Sequence, residues 1–144
     1  MESTFKLIVI EDDPGDQKLI KLACNKAHSK IIIEQFFDAE EADSHLSSIN
    51  SEDDLPELII LDLNLPKISG LDYLKKLKTD DKLKVIPVVV LTTSDAPHDI
   101  ETAYKNGANS YFRKPLDVDE LISKIKLIIN YWTNSENKKR LNII

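Results

Sequence analysis

Apolar residues gather in short continuous runs at Leu7–Ile10, Ile31–Ile33, Leu58–Leu61 and Val88–Leu91. Runs of this length, bounded by polar or turn residues, fit strands buried on both faces. Extended to their boundaries, they predict strands over Phe5–Ile10, Ile31–Phe37, Leu58–Leu61 and Pro87–Thr92, and a fifth lies within Ala108–Arg113. The second strand carries Glu34 and Gln35 in its middle, so it is expected at an edge of the sheet. Pro87 costs nothing at a strand's first residue, where a missing backbone donor is tolerated.

Between these runs the apolar spacing changes to that of helices. Asp13 is a natural N-cap for a first helix opened by Pro14, with Asp16 in its first turn and Ile20, Ala23, Cys24 and Ala27 inward. Asp38 with Glu41 opens a second helix, carrying Ala39, Ala42 and Leu46. Ile49–Pro56 reads as an acidic loop. Ser69, with Asp72 three residues on, forms a capping box for a third helix. Leu71, Leu74 and Leu77 form its apolar stripe, and Lys75, Lys76 and Lys78 its polar one. Pro97 opens a fourth helix capped from within Thr93–Asp95, which stops at Asn106–Gly107. Asp117 with Glu120 opens a fifth, which buries Leu121, Ile125 and Ile128 and ends at Tyr131–Trp132.

Five strands alternating with five helices through short loops predict an α/β domain with a parallel sheet. Crossovers are right-handed, and doubly buried strands need helices on both faces, so the strand order must reverse once. The acids at the ends of strands one and three place the reversal between them. The expectation is a flavodoxin-like (βα)5 three-layer sandwich, sheet order 2-1-3-4-5, with a ligand crevice at the strands' carboxyl ends. The domain is expected to span 1–132, with 133–144 a polar tail and no output domain.

Composition adds bounds. The 144 residues carry a net charge of −6, which argues against a general nucleic-acid or anionic-membrane binder. Cys24 is the only cysteine, so no internal disulfide can form and a reducing, cytoplasmic setting is expected. The first apolar run is too short for a signal peptide or a membrane span. Gly15, Gly70 and Gly107 are the only glycines, too few for a P-loop or a dinucleotide fingerprint.

The chemistry lies at the strand ends: Glu11 and Asp12 after the first, Asp62 after the third, Thr92 closing the fourth, Lys114 after the fifth. An acid ending an apolar strand cannot sink unpaired into the core, so Asp62 belongs at its mouth. Two carboxylates about 4 Å apart repel by about 4 kcal/mol at an effective dielectric near 20. Asp12 and Asp62, with Glu11 close by, are therefore expected to have raised pKa values or to bind a cation, and hard oxygen donors suit Mg²⁺. Metal, carboxylate, ammonium and hydroxyl around one aspartate form a phosphoryl-acceptor site.

The acidic pair Glu11-Asp12, the DLNLP run with Asp62, Thr92, Tyr111 and Lys114-Pro115 together resemble a receiver domain of a bacterial two-component response regulator. The likeness covers roughly Phe5–Tyr131. LIILDLNLPKISG, IPVVVLTTS and the Tyr131-Trp132 end are most similar to single-domain regulators that pair with phytochrome-type histidine kinases. The resemblance implies that Asp62 takes phosphate from a kinase phosphohistidine. It implies Mg²⁺ held by Asp12 and Asp62 directly, by Glu11 through water and by the Asn64 backbone carbonyl. Lys114 would pair with the phosphoryl group, Thr92 would move to hydrogen-bond it, and Tyr111 would swing inward behind. Helix four, strand five and helix five would then signal to a downstream protein target. The resemblance also implies a cis Lys114–Pro115 bond, against a base rate of about 5–6% for X-Pro.

Two other classes compete. An Asp-nucleophile phosphohydrolase of the haloacid-dehalogenase type places its nucleophile on the first strand in a D-x-D pattern beneath a cap domain. Here the pattern is D-x-N on strand three, and the length leaves no room for a cap. A non-phosphorylated pseudo-receiver, a binding module with vestigial acids, would not need the full set of residues. His28, His45 and His98 read as surface histidines, and Lys138-Lys139-Arg140 as a solvated patch. Trp132 and Leu141–Ile144 are expected to pack on a neighbour, supporting a homodimer through the helix-four to helix-five face.

Overall fold

The computed structural model describes residues 4–136. Its elements follow in the order β1 (Phe5–Ile10), α1 (Pro14–Ala27), β2 (Ile31–Phe36), α2 (Ala39–Ser47), β3 (Leu58–Leu61), α3 (Gly70–Thr79), β4 (Val88–Thr92), α4 (Pro97–Lys105), β5 (Ser110–Arg113) and α5 (Val118–Asn134). A short 3₁₀ turn, Glu52–Asp54, lies in the acidic loop. The five strands form one sheet in the order β2-β1-β3-β4-β5, and every pairing is parallel. The polar second strand is at an edge, and the order reverses between the two strands that end in acids.

Strand alternation divides the core in two. Ile8, Ile10, Ile59, Leu61, Val88 and Val90 face α2, α3 and α4. Leu7, Val9, Leu58, Ile60, Val89 and Leu91 face α1 and α5. β3 and β4 are buried at every residue. Each such side chain contributes about 1.5–3 kcal/mol on leaving water, which pins the register. Register in turn sets the site. Ile10 pairs with Leu61, so Glu11 and Asp62 emerge side by side, and the Asp62 N–H donates to the Ile10 carbonyl at 3.0 Å. Thr92 pairs with Arg113, bringing Lys114 to the same rim.

The expected caps hold at Asp13, Asp38, Ser69 and Asp117, whose side chains accept from Asp16, Glu41, Asp72 and Glu120 N–H groups. Helix α4 differs: its N-cap is Ala96, with no side-chain cap. Pro97 fixes the first helical position, which leaves Thr93–Asp95 upstream of the cap. Ser94 instead donates to the Asp99 carboxylate at 2.6 Å and accepts from the Ala96 N–H. Helix α5 runs through Asn134, two residues past the expected end, its last turn tied by Thr133 to the Ile129 carbonyl.

One further expectation changes. The Lys114–Pro115 bond is trans, as are all peptide bonds among the described residues, in line with the ordinary trans preference of X-Pro. Trp132 is half-buried against its own chain's α1/α5 core, so much of its surface is already covered. Leu141–Ile144 lie outside the described residues.

Candidate phosphoacceptor site

Asp62 leaves β3 at its carboxyl end and is 4% exposed. Its Oδ1 accepts from the Asn64 N–H at 3.2 Å, an Asx-type turn that bends the chain out of the strand. The loop can then close only over a bare backbone. A Cβ on Gly70 would stand 2.2 Å from the Asp62 carbonyl oxygen and 2.5 Å from the Leu63 Cα. Glycine at the first turn of α3 is thus what lets this helix abut the loop that carries Asp62. The Gly70 N–H donates to the Leu63 carbonyl at 2.9 Å.

Glu11, 2% exposed, and the exposed Asp12 stand across from Asp62. One oxygen from each of the three lies within 4.8 Å of the others. Glu11 Oε2 accepts from the Asp13 N–H at 3.0 Å, and its Oε1 accepts from the Lys114 ammonium. Burial pushes the Glu11 carboxyl up to about 8; the Asp62 charge adds to this, while Lys114 and the Asp13 N–H pull against it.

Lys114, 6% exposed, reaches across the rim. Its ammonium donates to Glu11, to Asp16 Oδ2 at 2.8 Å and to Asp62 Oδ2 at 3.0 Å. Burial alone would lower its pKa. Hydrogen bonds to Asp16 and Glu11 and the nearby charges outweigh that and raise it, so Lys114 stays protonated.

Thr92 is fully buried, and its Oγ1 is the one buried side-chain polar atom among the described residues with no hydrogen-bond partner. Leaving such a hydroxyl unmade costs about 1–3 kcal/mol. Tyr111 is half-buried against the α2/α3/α4 core and donates its hydroxyl to the Ser94 carbonyl at 2.7 Å, tethering the β4–α4 loop to β5. Asn64 is exposed and its amide donates to Thr93 Oγ1 at 3.4 Å.

Every residue expected at the strand ends is thus at one rim. Two contributors were not singled out from sequence. Asp16 reads there only as a first-turn acid. Gln17 is buried, and its amide donates to the carbonyls of Val9, Glu11 and Phe36 at 3.0–3.4 Å. It also accepts from Gln35 at 2.8 Å, locking the ends of β1 and β2 together. The available signal is a polar residue on a buried stripe, since Gln17, Ile20 and Cys24 share one face of α1.

The donor set fits a divalent cation: three convergent carboxylate oxygens, with Asp16 a fourth acid nearby, face one ammonium among hard oxygen groups. The class so defined is a flavodoxin-like α/β protein with a carboxylate–lysine–hydroxyl rim at its strand ends.

A family model described as the response regulator receiver domain matches residues 7–126. The chain belongs to that family and is a phosphoacceptor of two-component signalling. It is 36% identical over 132 residues to the probable methanogenesis regulatory protein FilR2 of Methanothrix harundinacea, covering 91% of this chain and 85% of that one. The crystal structure of the phosphorylated cyanobacterial phytochrome response regulator RcpA superposes with a TM-score of 0.87 at 32% identity, covering 94% and 99% of the two chains. The Mn²⁺-bound form of response regulator Rcp1 gives 0.84 at 30% identity, covering 92% and 97%.

Proposed function

We propose that Asp62 is the phosphoacceptor and that a histidine kinase is the donor. A carboxylate oxygen of Asp62 attacks phosphorus in line as the P–N bond of the donor's phosphohistidine breaks, and the imidazole leaves with the electron pair. Glu11, Asp12, Asp62 and the Asn64 backbone carbonyl would hold Mg²⁺, which supplies charge neutralisation around the phosphoryl oxygens. The Mn²⁺ in Rcp1 supports a divalent site here. Lys114 neutralises the bound phosphoryl group, and the unpartnered Thr92 hydroxyl donates to one of its oxygens. The single observation that carries this reading is a buried Asp62 beside both Lys114 and an acid pair.

Once Thr92 turns towards the phosphoryl group, the β4–α4 loop shifts, and Tyr111, bonded to Ser94, moves with it. The α4–β5–α5 face then reads out to a downstream protein target or a second copy. Similarity to RcpA supports a phytochrome-type kinase as partner. Chemistry is confined to the chain's own phosphorylation and dephosphorylation. The setting that goes with this reading is cytoplasmic, and no helix among the described residues is long and apolar enough to cross a membrane.

Intact mass after treatment with acetyl phosphate and Mg²⁺ tests the assignment. Wild type should gain one phosphoryl group and Asp62→Asn none. Equal gain in both would move the acceptor elsewhere.

A further inference from the structure

We propose that Asp16 is a positioning residue for phosphoryl transfer: it holds the Lys114 ammonium at the α1 side of the rim and is the acceptor that Lys114 releases when a phosphoryl group arrives. The inference rests on the phosphoacceptor reading of Asp62. An ammonium carries three protons, and Lys114 directs them at three carboxylates, those of Glu11, Asp16 and Asp62. Lys114 has no proton left for a phosphoryl oxygen unless one of these pairs opens.

The three are not equally free to leave. Glu11 is buried, and its second oxygen is already bound to the Asp13 N–H. Opening its pair would leave a buried oxygen that water does not reach without its partner, the costlier kind of loss. Asp62 carries the phosphoryl group itself, so it stays beside Lys114 throughout. Asp16 has a side chain 27% exposed, and water can take over its oxygens when the pair opens. It also stands in the first turn of α1, a fourteen-residue helix, whose N-terminal N–H groups favour a freed carboxylate. Asp16 is therefore the acceptor that opens at least cost. Until then it keeps Lys114 from lying wholly on Asp62, and it sets what an incoming anion must displace.

Beryllofluoride, a non-covalent phosphoryl mimic, is the probe, titrated with saturating Mg²⁺ against wild type and three variants whose folding is checked by thermal melting. Asp16→Asn removes the competing charge with little change in shape and should bind beryllofluoride about fivefold more tightly. Asp16→Glu keeps the charge and should stay within about twofold of wild type. Asp13→Asn removes one charge from the same turn, keeps an N-cap side chain and does not touch Lys114, so it should also stay within about twofold. Asp16→Asn affinity equal to or weaker than wild type would overturn the inference. So would an equal gain in Asp13→Asn, which would make the effect one of bulk charge. Wild type that failed to bind beryllofluoride would instead remove the phosphoacceptor reading of Asp62, and this inference with it.

Discussion

Two buried hydroxyls in this molecule have opposite fates. At the seam between α2 and α3, the fully buried Tyr73 donates its hydroxyl to Asp43 at 3.2 Å, and Asp43 is also paired with Lys76 at 2.9 Å. At the carboxyl rim of the sheet, Thr92 is as deeply buried and its hydroxyl has no partner, while Lys114 a strand away is saturated. The seam is a satisfied network that joins two helices. The rim combines one over-supplied cation with one unsupplied hydroxyl. Such an imbalance costs stability and gains nothing in the resting fold, and a phosphoryl group would supply the acceptor oxygen that Thr92 lacks.

The comparison can be tested from its largest element down. Lys114→Met removes the ammonium that pairs with Glu11 and Asp62 at the rim and leaves both buried without it. Urea unfolding in the presence of chelator should show a loss of about 3–5 kcal/mol, part of it restored by Mg²⁺. Unchanged stability would mean that the rim carboxylates do not depend on Lys114.

Next come the two hydroxyls themselves. Tyr73→Phe deletes a made hydrogen bond and leaves Asp43 with one partner fewer, so it should cost about 1 kcal/mol without changing acetyl-phosphate labelling. Thr92→Val deletes an unmade one and should leave stability equal or raise it by about 1 kcal/mol, while impairing the response to phosphorylation. Paired chemical denaturation and acetyl-phosphate labelling distinguish these outcomes. Losses of similar size in the two variants would erase the contrast.

The smallest effect concerns pH and lies away from both regions. Burial against α5 pushes the Cys24 thiol from an ordinary 9.0 up to about 12. The native chain therefore keeps this proton where the unfolded chain has lost it. The stability it contributes is intact below pH 9 and is lost as pH rises through about 12. Between pH 9 and pH 10 wild type should lose about 1 kcal/mol more than Cys24→Ala, which lacks the thiol. Parallel curves for the two proteins would show that the thiol titrates normally.

Much of this was legible from local pattern. Strand β3 and its terminal Asp62 follow from four apolar residues and an acid that cannot be buried alone. The caps at Asp13, Asp38, Ser69 and Asp117 follow from side chains that reach three residues along the chain. The Ala96 cap was less legible, because three capping candidates precede a proline and only the proline's backbone decides among them.

What residue order determined by itself was whatever depends on near neighbours: the alternation of strands and helices, the edge position of β2, and the arrival of Glu11, Asp12, Asp62, Thr92 and Lys114 at the same end of their strands. Only the folded chain decided how those groups share partners. The Lys114 ammonium spans residues about a hundred positions apart to reach Glu11 and Asp16, and Gly70 is required because two backbones meet there. The Gln17 amide closes the ends of two strands. Hydrogen-bond protons and close-packed volume are limited quantities, and how they are allotted is settled only when distant segments compete for them in three dimensions.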